Sequence, residues 1–310
     1  YTAGHMIEAA VAYYQATGKE KFLNIARKNA DLICRVFGTG EGQKRGYPGH
    51  QEIELALVKL YRVTGERAYL HQAEYFIRER GRNPNYLQAE IEGRGHPEFF
   101  PEFERYDLEY SQAHKPPVEQ DEAVGHAVRE MYMCSAMADL AGENDDQQLK
   151  DACQRIWNNM TDRRMYITGG IGSSGFRERF TTDYDLPNST NYSETCASIG
   201  LVMWAYRMFL IEPKAEYFDV IERALLNVNL AAVSLDGKKF FYENMLRRAK
   251  KLEYKLIWPL TRTEYLISYC CPPNLARMVT QSGEYAYTVS ADSVYTGIYG
   301  ECDAALTLEN

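Results

Sequence analysis

Apolar residues recur at helical spacing from the start of the chain. Met6, Ile7, Ala10, Val11 and Tyr14 fall on one face, Thr17-Gly18 interrupts the run, and Phe22, Leu23, Ala26, Ala30 and Ile33 resume the period. This predicts a helical hairpin. A second copy opens at Gly49-His50, carries Ile53, Leu57, Leu60 and Tyr61 to a stop at Thr64-Gly65, and returns through Tyr69, Leu70, Ala73 and Phe76. The Gly-His pairs lie 45 residues apart and the Thr-Gly pairs 47, so the second copy has slipped by two residues. A third copy opens at Gly125-His126, with Val128, Met131, Cys134 and Ala138 before Gly142, then Leu149, Cys153, Ile156 and Trp157. A fourth runs from Cys196 through Leu201, Trp204, Met208 and Leu210, breaks at Pro213 and resumes from Tyr217 to Val228.

Hairpins at this period build either an open solenoid or a closed α/α toroid, and periodicity leaves both open. Chemistry favours closure, because the inner helices of a toroid present one end each to a shared funnel, and three of the four hairpins begin with Gly-His. The plainer reading is that each histidine caps its own helix. Beyond Asn229 the pattern changes. Lys239 to Tyr242, Glu284 to Val289 and Ser293 to Thr296 read as strands, with a helix from Pro273 to Ser282 among them. A long insert, Asn83 to Gln120, is rich in proline, aromatics and charge, as functional loops often are.

The expected architecture is therefore mainly α: residues 1–230 as a helical-hairpin toroid, 231–269 as a β-rich excursion, 270–283 as a toroid helix, and 284–310 as the start of a β domain. The chain begins inside an amphipathic helix without an initiating methionine and stops among strands, so it is expected to be truncated at both ends.

Composition narrows the function. With 310 residues, 45% of them hydrophobic, the chain can bury a sizeable core. A net charge of −8 argues against a nucleic-acid partner, which would demand a basic face. No apolar run approaches the roughly 20 residues of a membrane span, and no signal-peptide pattern opens the chain. Free thiols suit the cytoplasm, while metal-protected ones would also survive in a periplasm. Tyrosine is abundant, 24 with 3 tryptophans, and such rings suit sugar faces. Seven cysteines, an odd count with Cys270 and Cys271 adjacent, argue against a disulfide framework and for metal or thiol chemistry.

The strongest local signal is Cys270-Cys271-Pro272-Pro273-Asn274, two thiols entering a helix whose positive end favours thiolates. Its bland alternative is a pair of buried small residues. Glu194-Thr195-Cys196 opens the fourth hairpin. Together Glu194, Cys196, Cys270 and Cys271 are ligand types that suit tetrahedral zinc, though their spacing matches no zinc-finger pattern. Gly170 to Gly175 formally matches a dinucleotide fingerprint, but lacks the strand before and the helix after that the motif needs. A flexible loop ending in a carboxylate suits a general acid better. Three glycosylation sequons, at Asn159, Asn188 and Asn191, read as chance matches, and Cys34, Cys134, Cys153 and Cys302 as ordinary thiols.

The runs Gly169-Gly170-Ile171-Gly172, Asp183 to Asn188, Glu194 to Gly200 and Cys270 to Asn274, with Gln120 to Arg129, together resemble the β-L-arabinofuranosidases of glycoside hydrolase family 127 over nearly the whole chain. That resemblance implies an (α/α)6 toroid followed by a β-sandwich-type domain, a zinc ion on one Glu and three Cys, and retention of anomeric configuration. By motif, Cys270 matches the nucleophile, Glu194, Cys196 and Cys271 the other zinc ligands, and Glu178 the acid/base. His126 matches a substrate-contacting histidine, His5 and His50 two more, and Tyr242 would grip sugar hydroxyls with them. A retaining glycosidase holds nucleophile and acid roughly 5 Å apart. The implied partner is a small arabinofuranoside-type carbohydrate, with no nucleic acid or membrane, and a homodimer is compatible with it. Met245-Leu246 and the basic stretch Arg247 to Lys251 depart from the family pattern and bear on which sugar is bound. Two other readings compete. One is a non-catalytic helical-repeat carbohydrate-binding module with a structural zinc site. The other is a sugar epimerase using the histidines, which leaves Cys270-Cys271 unexplained.

Overall fold

The computed structural model describes residues 1–94, 107–248 and 258–308. They group into two compact units, Tyr1–Met165 with Gly172–Asp185, and Tyr166–Ile171 with Leu186–Asn310.

Three hairpins build the first unit: α1 (Thr2–Thr17) with α2 (Glu20–Val36), α3 (Ile53–Thr64) with α4 (Arg67–Glu79), and α6 (Ala127–Asn144) with α7 (Gln147–Asn159). A short helix, α5 (Tyr86–Arg94), opens the long insert. Helix α3 packs between α1 and α6, while α2 packs on α4 outside them. The sequence dictates which helices go inside. In α6 every residue from Ala127 to Ala141 except Arg129 is buried, whereas α2 buries only Leu23, Ala26 and Ala30. A helix apolar all round must be enclosed, and one with a single stripe lies on the surface. Helix α7 shows the stripe at full width, through Leu149, Ala152, Cys153, Ile156 and Trp157.

The Thr-Gly repeat is a structural device. Gly18 and Gly65 adopt left-handed φ of 68° and 71°, and their amides close on Tyr14 O at 2.7 Å and Tyr61 O at 2.8 Å. Thr17 and Thr64 hydroxyls donate to carbonyls one turn back and accept from Lys19 N and Glu66 N. In the third hairpin the stop is not Gly142. Helix α6 runs on to Asn144, the left-handed residue is Asp145 at φ 51°, and the Asp146 side chain caps α7. The Gly-His pairs are not equivalent either: only His126 caps a helix, His5 lies inside α1, and His50 precedes α3 by three residues. Met6 is 50% exposed instead of buried in the core.

The second unit holds the fourth hairpin, α8 (Thr195–Ile211) and α9 (Ala215–Arg223), broken at Pro213 as expected and continued by a wide turn, Ala224–Asn229. Trp204 is fully buried, but Leu210, expected inside, is 52% exposed. Helix α10 (Cys271–Gln281) packs on α8 and starts two residues earlier than the prolines suggested. Pro272 and Pro273 fit its first turn because those positions need no amide donor. The antiparallel ribbon β1 (Tyr287–Val289) and β2 (Val294–Thr296) pairs Tyr287 with Thr296 and Val289 with Val294. Residues 284–285, expected in that strand, form a tight turn. Lys239 to Tyr242 is no continuous strand: Phe240 makes single bridges to Val233 and Thr263. Among the described residues no helix is long and apolar enough to cross a membrane.

Candidate active site

Two groups of predicted residues assemble, one in each unit. In the second unit, Glu194 and Cys196 stand at the start of α8, and Cys270 and Cys271 at the start of α10. Their ligand atoms all lie within 4.8 Å of one another. Cys196 Sγ is 3.5 Å from Cys271 Sγ, Cys270 Sγ 3.8 Å from Cys271 Sγ and 3.7 Å from a Glu194 carboxylate oxygen, and Cys271 Sγ 4.0 Å from that oxygen. A tetrahedral zinc site with bonds of about 2.3 Å to sulfur has edges of about 3.7 Å. Four of the six edges lie between 3.5 and 4.0 Å, so these side chains form a group able to hold one metal ion. Two helix N-termini meet at this point, and both dipoles favour the anionic forms of these ligands.

The surroundings distinguish the three thiols. Cys196 and Cys271 are buried, and burial pushes both thiols up. Cys270 is part-exposed and is shifted down, because Cys196 and Cys271, and then Tyr242 and Ser268, hydrogen-bond to its sulfur. Asn274, one turn along α10, donates from Nδ2 to Cys196 Sγ at 3.1 Å. Tyr242 is itself held flat: its ring stacks on Trp258 at 3.6 Å, and Trp258 Nε1 donates to the Tyr192 hydroxyl at 2.8 Å. The Glu194 turn is bolted in place by Asn244, which donates to Ser193 O and Thr195 Oγ1, and by the fully buried Asn191, which donates to Asn244 O. A glycan on Asn191 is excluded by that burial. Next to Tyr242, Glu243 lines a separate cavity of about 730 Å³ with Phe241, Asn244, Trp258 and Arg262, and burial raises its carboxyl to about 7.

In the first unit the three predicted histidines come together. The ring of His50 lies 5.8 Å from that of His126, and the ring of Tyr1 lies 4.5 Å from both His5 and His50. His5 Nδ1 is 3.1 Å from the buried Glu52 carboxylate. His50 donates from Nδ1 to Gln51 O at 2.5 Å, and burial, with the charge of Arg129, pushes it well below its ordinary range. His126 accepts the Val128 amide hydrogen on Nδ1 at 3.2 Å. Its proton is therefore on Nε2, which donates to Glu178 Oε2 at 2.7 Å. Gly125 is required just before it: φ is 64°, and a Cβ there would sit 1.9 Å from Glu109 O.

Glu178 stands at the tip of a narrow hairpin in which Ser174 and Arg179 exchange both backbone hydrogen bonds, at 3.1 and 3.0 Å. The glycine-rich stretch before it serves packing. A Cβ on Gly172 would meet Ala127 Cβ at 3.0 Å, and one on Gly169 would meet Ala224 Cα at 2.7 Å. Neither a strand before it nor an α-helix directly after it accompanies this stretch, so the dinucleotide reading stays rejected. Sequence reasoning passed over Asn274, Trp258, Glu52 and Asp107. Asn274 alone carried a signal, its place one turn beyond Cys270 on the same helix.

The β-L-arabinofuranosidase GH127 catalytic-domain model matches residues 1–284. The chain belongs to this family. A non-reducing end β-L-arabinofuranosidase of Bifidobacterium longum subsp. longum is 43% identical over 298 residues, 93% of this chain and 44% of that protein. A GH127 β-L-arabinofuranosidase from Geobacillus stearothermophilus superposes with a TM-score of 0.90 at 51% identity, covering 96% of this chain and 47% of its own. A second GH127 β-arabinofuranosidase structure gives 0.83 at 46% identity, covering 96% and 43%. The chain spans less than half the length of each of these relatives. The mainly α fold of helical hairpins, of α/α-toroid class, is thus the GH127 fold expected from the sequence. Of the β domain expected to follow, the described residues hold the two-stranded ribbon. Of the departures from the family pattern, Met245 to Arg248 are described, and Lys250 and Lys251 lie outside the described residues.

Proposed function

We propose that this chain is the catalytic part of a retaining glycoside hydrolase acting on β-L-arabinofuranosides or a related sugar, with Cys270 as nucleophile and Glu178 as acid/base. The observation that carries this reading is the Glu194, Cys196, Cys270 and Cys271 tetrahedron with its single part-exposed, readily ionised sulfur. A zinc ion on these four ligands would keep the Cys270 sulfur deprotonated at neutral pH. Cys270 attacks the anomeric carbon and forms a thioglycoside, while Glu178 gives its proton to the departing glycosidic oxygen. Water then displaces the sulfur and surrenders its proton to Glu178. His126 donates to Oε2 of Glu178 and so fixes the direction of the carboxyl that transfers the proton. His5, His50 and Tyr242 hold sugar hydroxyls, each on a fixed ring.

The test is release of 4-nitrophenol from 4-nitrophenyl β-L-arabinofuranoside by the full-length, zinc-loaded protein, with Cys270→Ser and Glu178→Gln beside it. The proposal expects turnover by the wild type, its loss in the folded Cys270→Ser variant, and in Glu178→Gln a reduced steady rate, because the second step lacks its base. Unfolding of Cys270→Ser, with Glu178→Gln behaving as the wild type, would instead mark a binding module with a structural metal knot.

A further inference from the structure

Glu178 occupies an unfavourable stretch of backbone. Both Arg177 and Glu178 are left-handed, at φ 58° and 54°, a conformation that side chains other than glycine rarely adopt. Something must hold the tip in that shape, and two carboxylates are placed to do so: Glu109 Oε2 pairs with Arg179 Nη2 at 2.8 Å, and Asp107 reaches both flanking arginines. Asp107 ion-pairs with Arg179 and lies 3.7 Å from the Arg177 guanidinium, so a single Oδ2 gathers the side chains on both flanks of Glu178. Its other oxygen accepts the Glu109 amide hydrogen at 3.0 Å and caps the short helix Leu108–Ser111. That helix is in turn fixed to the start of α6, where the His126 amide donates to Tyr110 O at 3.2 Å. Asp107 thus ties the acid's loop to the element that carries the acid's own hydrogen-bond donor.

We propose that Asp107 is a positioning residue for Glu178: it acts through Arg177 and Arg179 to set the direction of the acid, without touching substrate. The inference rests on the acid/base role of Glu178 proposed above. Asp107→Asn keeps the cap, since asparagine caps as well as aspartate, but removes the charge that the two arginines share, leaving Arg179 its pair with Glu109.

Proton donation matters most when the leaving group is poor. The experiment compares the full-length protein's kcat/KM on methyl and 4-nitrophenyl β-L-arabinofuranosides for wild type, Asp107→Asn, Arg177→Met and Glu178→Gln. The expected result for Asp107→Asn is a loss of roughly 100-fold on the methyl glycoside and a much smaller loss on the nitrophenyl one. Arg177→Met shows the same bias more weakly, and Glu178→Gln shows it in full. An equal loss on both substrates in Asp107→Asn, or none, while Glu178→Gln keeps its bias, overturns the positioning role. Absence of the bias in Glu178→Gln removes the acid assignment itself, and the role of Asp107 with it.

Discussion

The His126 imidazole donates from Nε2 to Glu178 Oε2 across 2.7 Å, and it is able to do so because Nδ1 is engaged by the Val128 amide. One ring therefore serves as a helix cap and as a hydrogen-bond donor to the proposed acid. The two duties are separable. His126→Ala should lower stability by about 1 kcal/mol through the lost cap and kcat/KM by roughly 100-fold through a misplaced Glu178. His126→Asn should restore the melting temperature but not the activity. Recovery of both by asparagine would show that capping alone matters.

Gly125 sets the position of that ring. With a left-handed φ and a hypothetical Cβ 1.9 Å from Glu109 O, Gly125→Ala has no room to relax in place. We expect a loss of about 2–3 kcal/mol, read as a lower midpoint in chemical denaturation, with a loss of activity beyond what unfolding explains. A midpoint unchanged from wild type would contradict the geometry.

Asn274 acts on the sulfur cluster from outside it. Its amide donates to Cys196 Sγ at 3.1 Å and favours the ionised sulfur. Replacing it by leucine should weaken metal retention by roughly 10- to 100-fold, measured by chelator competition, while the fold persists. Equal retention would assign the contact to packing.

Glu243 makes stability depend on pH. Burial raises its carboxyl from an ordinary 4.5 to about 7, so between those values the folded chain keeps a proton that the unfolded chain releases. Stability present below pH 4.5 is then lost as pH rises through about 7. Melting temperatures across that window should fall more steeply for wild type than for Glu243→Gln. Parallel curves would show that the carboxyl does not titrate there.

The hairpins were legible because their stops are local. Thr17-Gly18 and Thr64-Gly65 complete their hydrogen bonds within a few residues, and short range is what a sequence displays. The third stop was misplaced because Asp145 took the left-handed position expected of a glycine. Exposure of Met6 and Leu210 shows the limit of periodicity, which locates a face but not how far its neighbours cover it. The ligand types were visible at Glu194, Cys196, Cys270 and Cys271, while their convergence depends on α8 packing against α10. Asp107 was illegible, since its meaning lies in Arg177 and Arg179, some seventy residues away.

The ligands at the heads of α8 and α10 are far apart along the chain: Cys196 and Cys271 are separated by 75 positions. An ion bridging them would join the two helix heads in the folded chain alone, so its binding free energy would add directly to the stability of the fold. In the second unit, loading the metal and completing the fold would then be one event, and Cys270, the proposed nucleophile, would also help fasten the chain on which it stands.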